Sequence, residues 1–183
     1  LLYYDEPTKK YFVYNHTTGV TNQIAKDITT PLYDEENDVP DDPNAYGLMR
    51  WTENEQYVLL YDRYDIWQVD PLGNQKSICL TAGRASKISY RFIATDRDEK
   101  FIKTGQQLLL RIFDEKDKTA GLATLVYGSN ALNVLFKERV ALSPQVQKAK
   151  DADALLYTKE TYAQSPTLFT SSTNGGSANK LAA

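Results

Sequence analysis

Six carboxylates fall within nine residues of this 183-residue chain: Asp34, Glu35, Glu36, Asp38, Asp41 and Asp42, with Pro40 and Pro43 stiffening the path around them. A run of this kind either faces water as a solvated surface loop or gathers around a hard cation such as calcium. The spacing does not follow an EF-hand loop, which needs a Gly at its sixth position and a terminal bidentate Glu in register. Both readings stay open on the residues alone.

Covalent chemistry has thinner support. His16 is the sole histidine, and its setting, Asn15-His16-Thr17-Thr18-Gly19, reads as a turn that faces solvent. Asn15-His16-Thr17 also fits a glycosylation sequon, which matters only in a eukaryotic secretory host. Gly175-Gly176-Ser177-Ala178-Asn179 comes nearest to the nucleophile elbow G-x-S-x-G. It ends in Asn, however, and falls between two predicted strands instead of a strand and a helix. Cys79, the sole cysteine, stands between Ile78 and Leu80 and is expected to be a buried, inert thiol. Zinc spacing is missing. The sequence calls for no catalytic residue, no metal and no cofactor.

The elements that position these residues repeat. Residues 57–61 and 65–70 are short apolar runs rich in Val, Leu, Ile and aromatics, separated by Asp62-Arg63-Tyr64-Asp65, which reads as a hairpin turn with local, exposed charge pairs. Pro71-Leu72-Gly73-Asn74 is a second turn, leading to a third run at residues 76–81. The second half of this pattern recurs around Phe12, around Ala123 and around Phe169. The interval is roughly 45 to 56 residues, in the range of propeller blades. The prediction is an all-β chain, a β-propeller arc of about three and a half four-stranded antiparallel blades. The blades are placed near residues 1–30, 47–82, 88–139 and 140–183, with the acidic insertion at 31–46. A short helix within residues 34–46 is an open option. A two-sheet β-sandwich is the competing architecture, but sandwiches do not repeat at a blade period. Trp51 and Trp67 read as blade-core aromatics. Arg50, on the strand after the insertion, is a candidate for lining a central channel.

Composition narrows the partners. A net charge of −3 and a pI near 5.2, with Lys and Arg scattered, argue against nucleic acid or an anionic membrane surface. No 18-residue apolar window is present, so no membrane span is expected. Leu1-Leu2-Tyr3-Tyr4-Asp5 lacks the basic region and cleavage site of a signal peptide.

Residues 51–73, Trp-Thr-Glu-Asn-Glu-Gln-Tyr-Val-Leu-Leu-Tyr-Asp-Arg-Tyr-Asp-Ile-Trp-Gln-Val-Asp-Pro-Leu-Gly, resemble the propeller of prolyl oligopeptidase family serine peptidases. The similarity is to the exported dipeptidyl-peptidase IV or acylaminoacyl-peptidase-like group of Bacteroides-type bacteria. Residues 31–47 look like the acidic insertion of that group, and residues 151–162 with Ser165-Pro166 look like a later blade. The resemblance is most specific over residues 31–73.

It implies a non-catalytic propeller portion of a serine exopeptidase, exported or periplasmic. Such a portion admits short peptide substrates to a separate α/β-hydrolase domain. Its partners would be that domain and the missing propeller blades. In dipeptidyl peptidase IV-like members an aromatic, an acidic run and a strand with a Trp occur in that order, and a paired Glu binds the free amine of the substrate. Tyr33-Asp34-Glu35-Glu36 before Met49-Arg50-Trp51 repeats the order, although residues 37–46 lengthen the path. By this resemblance Glu35 and Glu36, with Asp34 and Arg50, are the substrate-binding candidates. The alternative is a stand-alone periplasmic propeller acting as a protein- or ligand-binding scaffold.

Overall fold

The computed structural model describes every residue except Arg97, Gly176, Ser177 and Ala183. The serine of the elbow-like stretch therefore lies outside the described residues. Elsewhere, runs of Tyr, Val, Leu and Ile broken by turn residues form strands. The chain is all-β, and among the described residues the helical content is one 3-10 turn at Glu53–Glu55.

The first sheet holds β1 (Leu2–Asp5), β2 (Lys10–Tyr14) and β3 (Thr21–Gln23). The second is built from β4 (Leu48–Thr52), β5 (Val58–Tyr61), β6 (Ile66–Val69) and β7 (Ile78–Cys79). Ile88–Phe92 (β8) belongs to the third sheet, whereas Phe101–Ile102 (β9) returns to the second and runs parallel to β4. β10 (Gln107–Asp114), β11 (Ala120–Val126) and β12 (Ala131–Glu138) complete the third sheet. The fourth contains β13 (Ala141–Leu142), β14 (Gln147–Lys148), β15 (Leu155–Thr161), β16 (Gln164–Ser171) and β17 (Asn179–Ala182).

Apart from β9, strands adjacent in a sheet follow one another closely in sequence. That is the meander of a propeller blade, not the crossing connection of a sandwich. Three sheets of four or five strands and one of three agree with the predicted number of blades. β5 and β6 pair as the expected hairpin, with Val58 opposite Val69 and Leu60 opposite Trp67. β15 and β16 pair as expected too, Tyr157 facing Phe169. Three strands, β1, β9 and β14, were not anticipated. The acidic insertion contains no helix; Tyr33 and Ala45 instead form an isolated antiparallel bridge.

Two compact units divide the chain. The first comprises Leu1–Arg84 and Lys100–Thr104. In it Tyr11 and Ile24, from the first sheet and its exit, pack with Val58, Leu60 and Val69 of the second. Leu59 on the opposite face of β5 is also buried, so this strand is covered on both sides. Each such aliphatic side chain contributes about 2 kcal/mol by leaving water. Trp51 and Trp67 are half-buried against this cluster. Asp27 ties the two sheets together, accepting from the Ser77 N–H (2.7 Å) and hydroxyl (2.8 Å).

The second unit comprises Ala85–Glu99 and Gly105–Ala183. Leu109 and Leu122 of the third sheet meet Leu142, Leu155 and Tyr157 of the fourth. Lys159 is inserted between these sheets: its Nζ lies 4.1 Å from the Phe136 ring centre and 4.9 Å from that of Phe169. Glu138 accepts a 2.8 Å bond from the same ammonium. A buried lysine is tolerated here because aromatic faces and a carboxylate replace its water. Arg111 of β10 donates to the Leu142 (3.0 Å) and Pro144 (3.1 Å) carbonyl oxygens, and to that of Ser143. At Gly121 a Cβ would land on the Phe136 carbonyl oxygen, so only glycine lets β11 and β12 approach this closely.

Candidate functional site

The acidic loop is an ordered structure. Beside the Tyr33–Ala45 bridge, the Asp34 N–H donates to the Asn44 carbonyl (2.8 Å) and the Tyr46 N–H to that of Leu32 (3.0 Å). The Glu35 N–H donates to the Tyr46 hydroxyl at 3.0 Å, and the Glu36 N–H to Asp34 Oδ1 at 3.0 Å. Farther out, Asn37 Nδ2 donates to the carbonyl oxygens of Val39 (3.2 Å) and Asp41 (2.8 Å). The neck and the tip are thus each closed by hydrogen bonds.

Glu35 and Glu36 reach the turn between β5 and β6, directly and through Arg84. Asp62 and Asp65 are buried, at 0% and 3% exposure, which corrects the expectation of exposed local pairs. The reason is their backbone duty. Asp62 Oδ1 accepts from the N–H groups of Tyr64 (2.6 Å) and Asp65 (2.7 Å), and Asp62 Oδ2 from the Trp67 indole (2.9 Å). Asp65 Oδ1 accepts from the Thr81 hydroxyl and the Gly83 N–H, each at 2.6 Å. Asp65 Oδ2 accepts from the Arg84 N–H at 3.1 Å. A buried carboxylate is viable only with such a full set of donors.

Those bonds hold Arg84 and Arg63 in place. Arg84 grips Glu35 through two nitrogens, Nη1–Oε1 at 3.1 Å and Nη2–Oε2 at 2.9 Å, and its Nη2 lies 3.6 Å from Asp62 Oδ1. Arg63 Nη2 meets Glu36 Oε1 at 2.7 Å. Both guanidinium groups sit over the Tyr64 ring, 5.3 Å (Arg63) and 5.2 Å (Arg84) from its centre. The bonded Glu35 carboxylate pushes the Arg84 pKa above its ordinary value, with the nearby Asp62 charge adding to this. The Tyr46 phenol is also raised, chiefly by burial.

Of the candidates, Asp34, Glu35 and Glu36 are brought together, and Arg50 lies half-buried on β4. Arg63, Arg84, Asp62 and Asp65 complete the cluster; Asp62, Arg63 and Asp65 were read from sequence as a charged turn and not as part of the site, and Arg84 was not singled out. Arg84 is 49 residues from Glu35, and no local spacing links the two. His16 is exposed in its turn as expected. Cys79 is exposed, not buried, because β7 is a two-residue edge strand. Its Sγ nonetheless donates to the Thr81 carbonyl at 2.9 Å. Burial of the sulfur, with the Asp65 charge adding to it, raises the thiol to about 11.

Three carboxylates (Glu35, Glu36 and Asp62) lie against two guanidiniums here, with Asp65 held on the Arg84 backbone N–H, so the cluster keeps a surplus of negative charge. The Glu36 side chain is 69% exposed, and only one of its oxygens is bonded within the described residues. Chemically, the cluster can present a positioned carboxylate oxygen to a cationic group arriving from solvent. Among the described residues no group of three or more His, Cys, Asp or Glu is placed to hold a metal ion. Among the described residues no helix is long and apolar enough to cross a membrane.

No protein-family model matches the chain, and no curated protein matches it. Among solved structures it is similar to the crystal structure of TolB from Acinetobacter baumannii, with 12% identity and a TM-score of 0.45. That match takes in 99% of this chain and 42% of the other, so the chain spans less than half the length of the TolB structure.

Proposed function

We propose that the chain is a non-catalytic propeller portion of an exported serine exopeptidase, which admits short peptides to a separate α/β-hydrolase domain. In this reading Glu35 and Glu36 receive the free amine end of the peptide. Support comes from the resemblance over residues 31–73 and from the blade-type meanders. The observation that carries it is the exposed Glu36 carboxylate standing beside Glu35. Arg63 and Arg84 fix the two acids without neutralising the cluster. An ammonium would add to Glu36 through the oxygen that Arg63 leaves open, which an N-acylated peptide cannot do. The test uses the full-length protein carrying the hydrolase domain. The double variant E35Q/E36Q is expected to raise KM for free-amine peptides at least tenfold and to leave N-acylated ones unchanged. Equal effects on both would remove the amine role.

A second reading, the stand-alone periplasmic scaffold, draws on β12. It is an edge strand of the third sheet with Leu132 and Val134 exposed, a template for strand addition by a partner. A gene that continues into G-x-S-x-G followed by Asp and His favours the peptidase; one that ends after the last blade favours the scaffold.

A further inference from the structure

We infer that the first unit carries a second, separate binding site, a cleft for a neutral saccharide beside Trp51. The cleft has a volume of about 650 Å³ and is lined from β2, β3, the 3-10 turn after β4 and the turn after β6. Every lining residue belongs to the first unit. Its size suits a small molecule of one or a few rings.

Its wall has the chemistry that sugars need. Trp51 is half-buried: it packs against the core cluster and also lines the cleft. An indole held this way is a rigid platform for the C–H face of a pyranose ring. Around it stand Asn22, Asn54, Gln56 and Asn74. A side-chain amide offers two donors and an acceptor, which pair with hydroxyl groups of either polarity. None of these four amides is committed to a side-chain hydrogen bond with another described residue.

Charge selects against other ligands. No lysine or arginine side chain lines the cleft, and the Leu1 amino group there is engaged by the Tyr14 carbonyl at 2.8 Å, so phosphate and carboxylate ligands find little counter-charge. Asp70 is occupied by its own turn, accepting from the N–H groups of Leu72 (2.9 Å), Asn74 (2.9 Å) and Gln75 (3.0 Å). A cation would therefore meet little beyond the exposed Glu55. The turn that delivers Asn54 and Gln56 is also held in an uncommon conformation. Asn54 and Glu55 both have positive φ, 58° and 54°. Consecutive left-handed residues other than glycine are retained where the surroundings impose them, and here they set Asn54 and Gln56 on the cleft rim.

Saturation-transfer NMR on the full chain tests this, with maltose, cellobiose, chitobiose and mannobiose as probes and trialanine as the peptide control. At least one disaccharide is expected to receive saturation, strongest on its ring C–H protons, and trialanine none. The surface variant N22A/N74A should weaken that disaccharide at least tenfold while leaving the amide spectrum of the core unchanged. W51F, which keeps an aromatic ring, should weaken it less than W51A. No transfer to any of the four disaccharides, transfer equal to that of trialanine, or binding indifferent to N22A/N74A would each overturn the proposal.

Discussion

Arg84 holds Glu35 in a two-nitrogen fork across 49 residues of chain, at 3.1 and 2.9 Å, and so fastens the acidic loop to the segment that leaves β7. The pair is partly buried, with side-chain exposures of 31% and 24%. Forked geometry and partial burial place it at the upper end of what a surface ion pair contributes, about 1 kcal/mol. A double-mutant cycle of R84M and E35Q should therefore give a coupling of about that size by urea unfolding. Hydrogen exchange at the Asp34 and Glu35 amides should quicken in either single variant. Additive effects and unchanged exchange would mean that the loop is held by its backbone bonds alone.

Asp62 should be far more sensitive. D62A removes a buried acceptor from the Tyr64 and Asp65 N–H groups and from the Trp67 indole. The expected loss is about 3 kcal/mol in global stability. Urea unfolding of D62A beside R63M, which removes the partner of the exposed Glu36, separates a structural role from simple charge loss. A cost under 1 kcal/mol for D62A would contradict the buried-anchor account.

Acid should release a defined part of the stability of the second unit. Lys137 donates to Asp114 at 2.7 Å, and this bond, with the Lys116 N–H next, holds the Asp114 carboxyl below its ordinary range. The folded pKa lies below the unfolded one, so the stabilisation is fully present above about pH 4 and is lost as pH falls through the folded value. Lys137 is raised in turn by the same bond, so its share persists below about pH 10.5 and is lost as pH rises through the folded value. D114N should thus be less stable than the native chain at pH 7 and equal to it near pH 2. Melting temperatures across that range check the sign; a gap that widens in acid would reverse it.

The thiol of Cys79 should react slowly although the residue is exposed. A pKa raised to about 11 leaves the thiolate about a hundredfold scarcer at neutral pH than for an ordinary cysteine. Iodoacetamide labelling against glutathione at pH 7.5 reads this directly. T81P or loss of Asp65 would disturb the fold, so the comparison is made on the native chain across pH. A rate matching glutathione would contradict it.

The strands were legible because period and turn chemistry act locally. Val58, Leu60 and Ile66 lie in apolar runs around an Asp-rich turn, and that is enough to specify a hairpin. β9 was not legible: two residues, Phe101 and Ile102, pair with β4 only once the second sheet exists. The acidic loop was visible as a run of carboxylates, whereas its arginine partners were not. Arg63 reads as a turn residue and Arg84 as a loop residue, and only the fold brings both over Tyr64. Asp62 and Asp65 were misjudged because charge in a turn suggests water, while their oxygens are taken by backbone donors inside the turn. Cys79 was misjudged in the opposite sense, since apolar neighbours do not reveal that β7 is an edge.

The measurement that bears most directly on the proposed role is calorimetric titration of the full chain with Ala-Pro-Ala and with its N-acetyl form. Binding of the free-amine peptide, weakened at least tenfold in E36Q, diminished at high salt and missing for the acetylated peptide, is the predicted result. Equal heats for the two peptides, or a free-amine affinity untouched by E36Q, would contradict it.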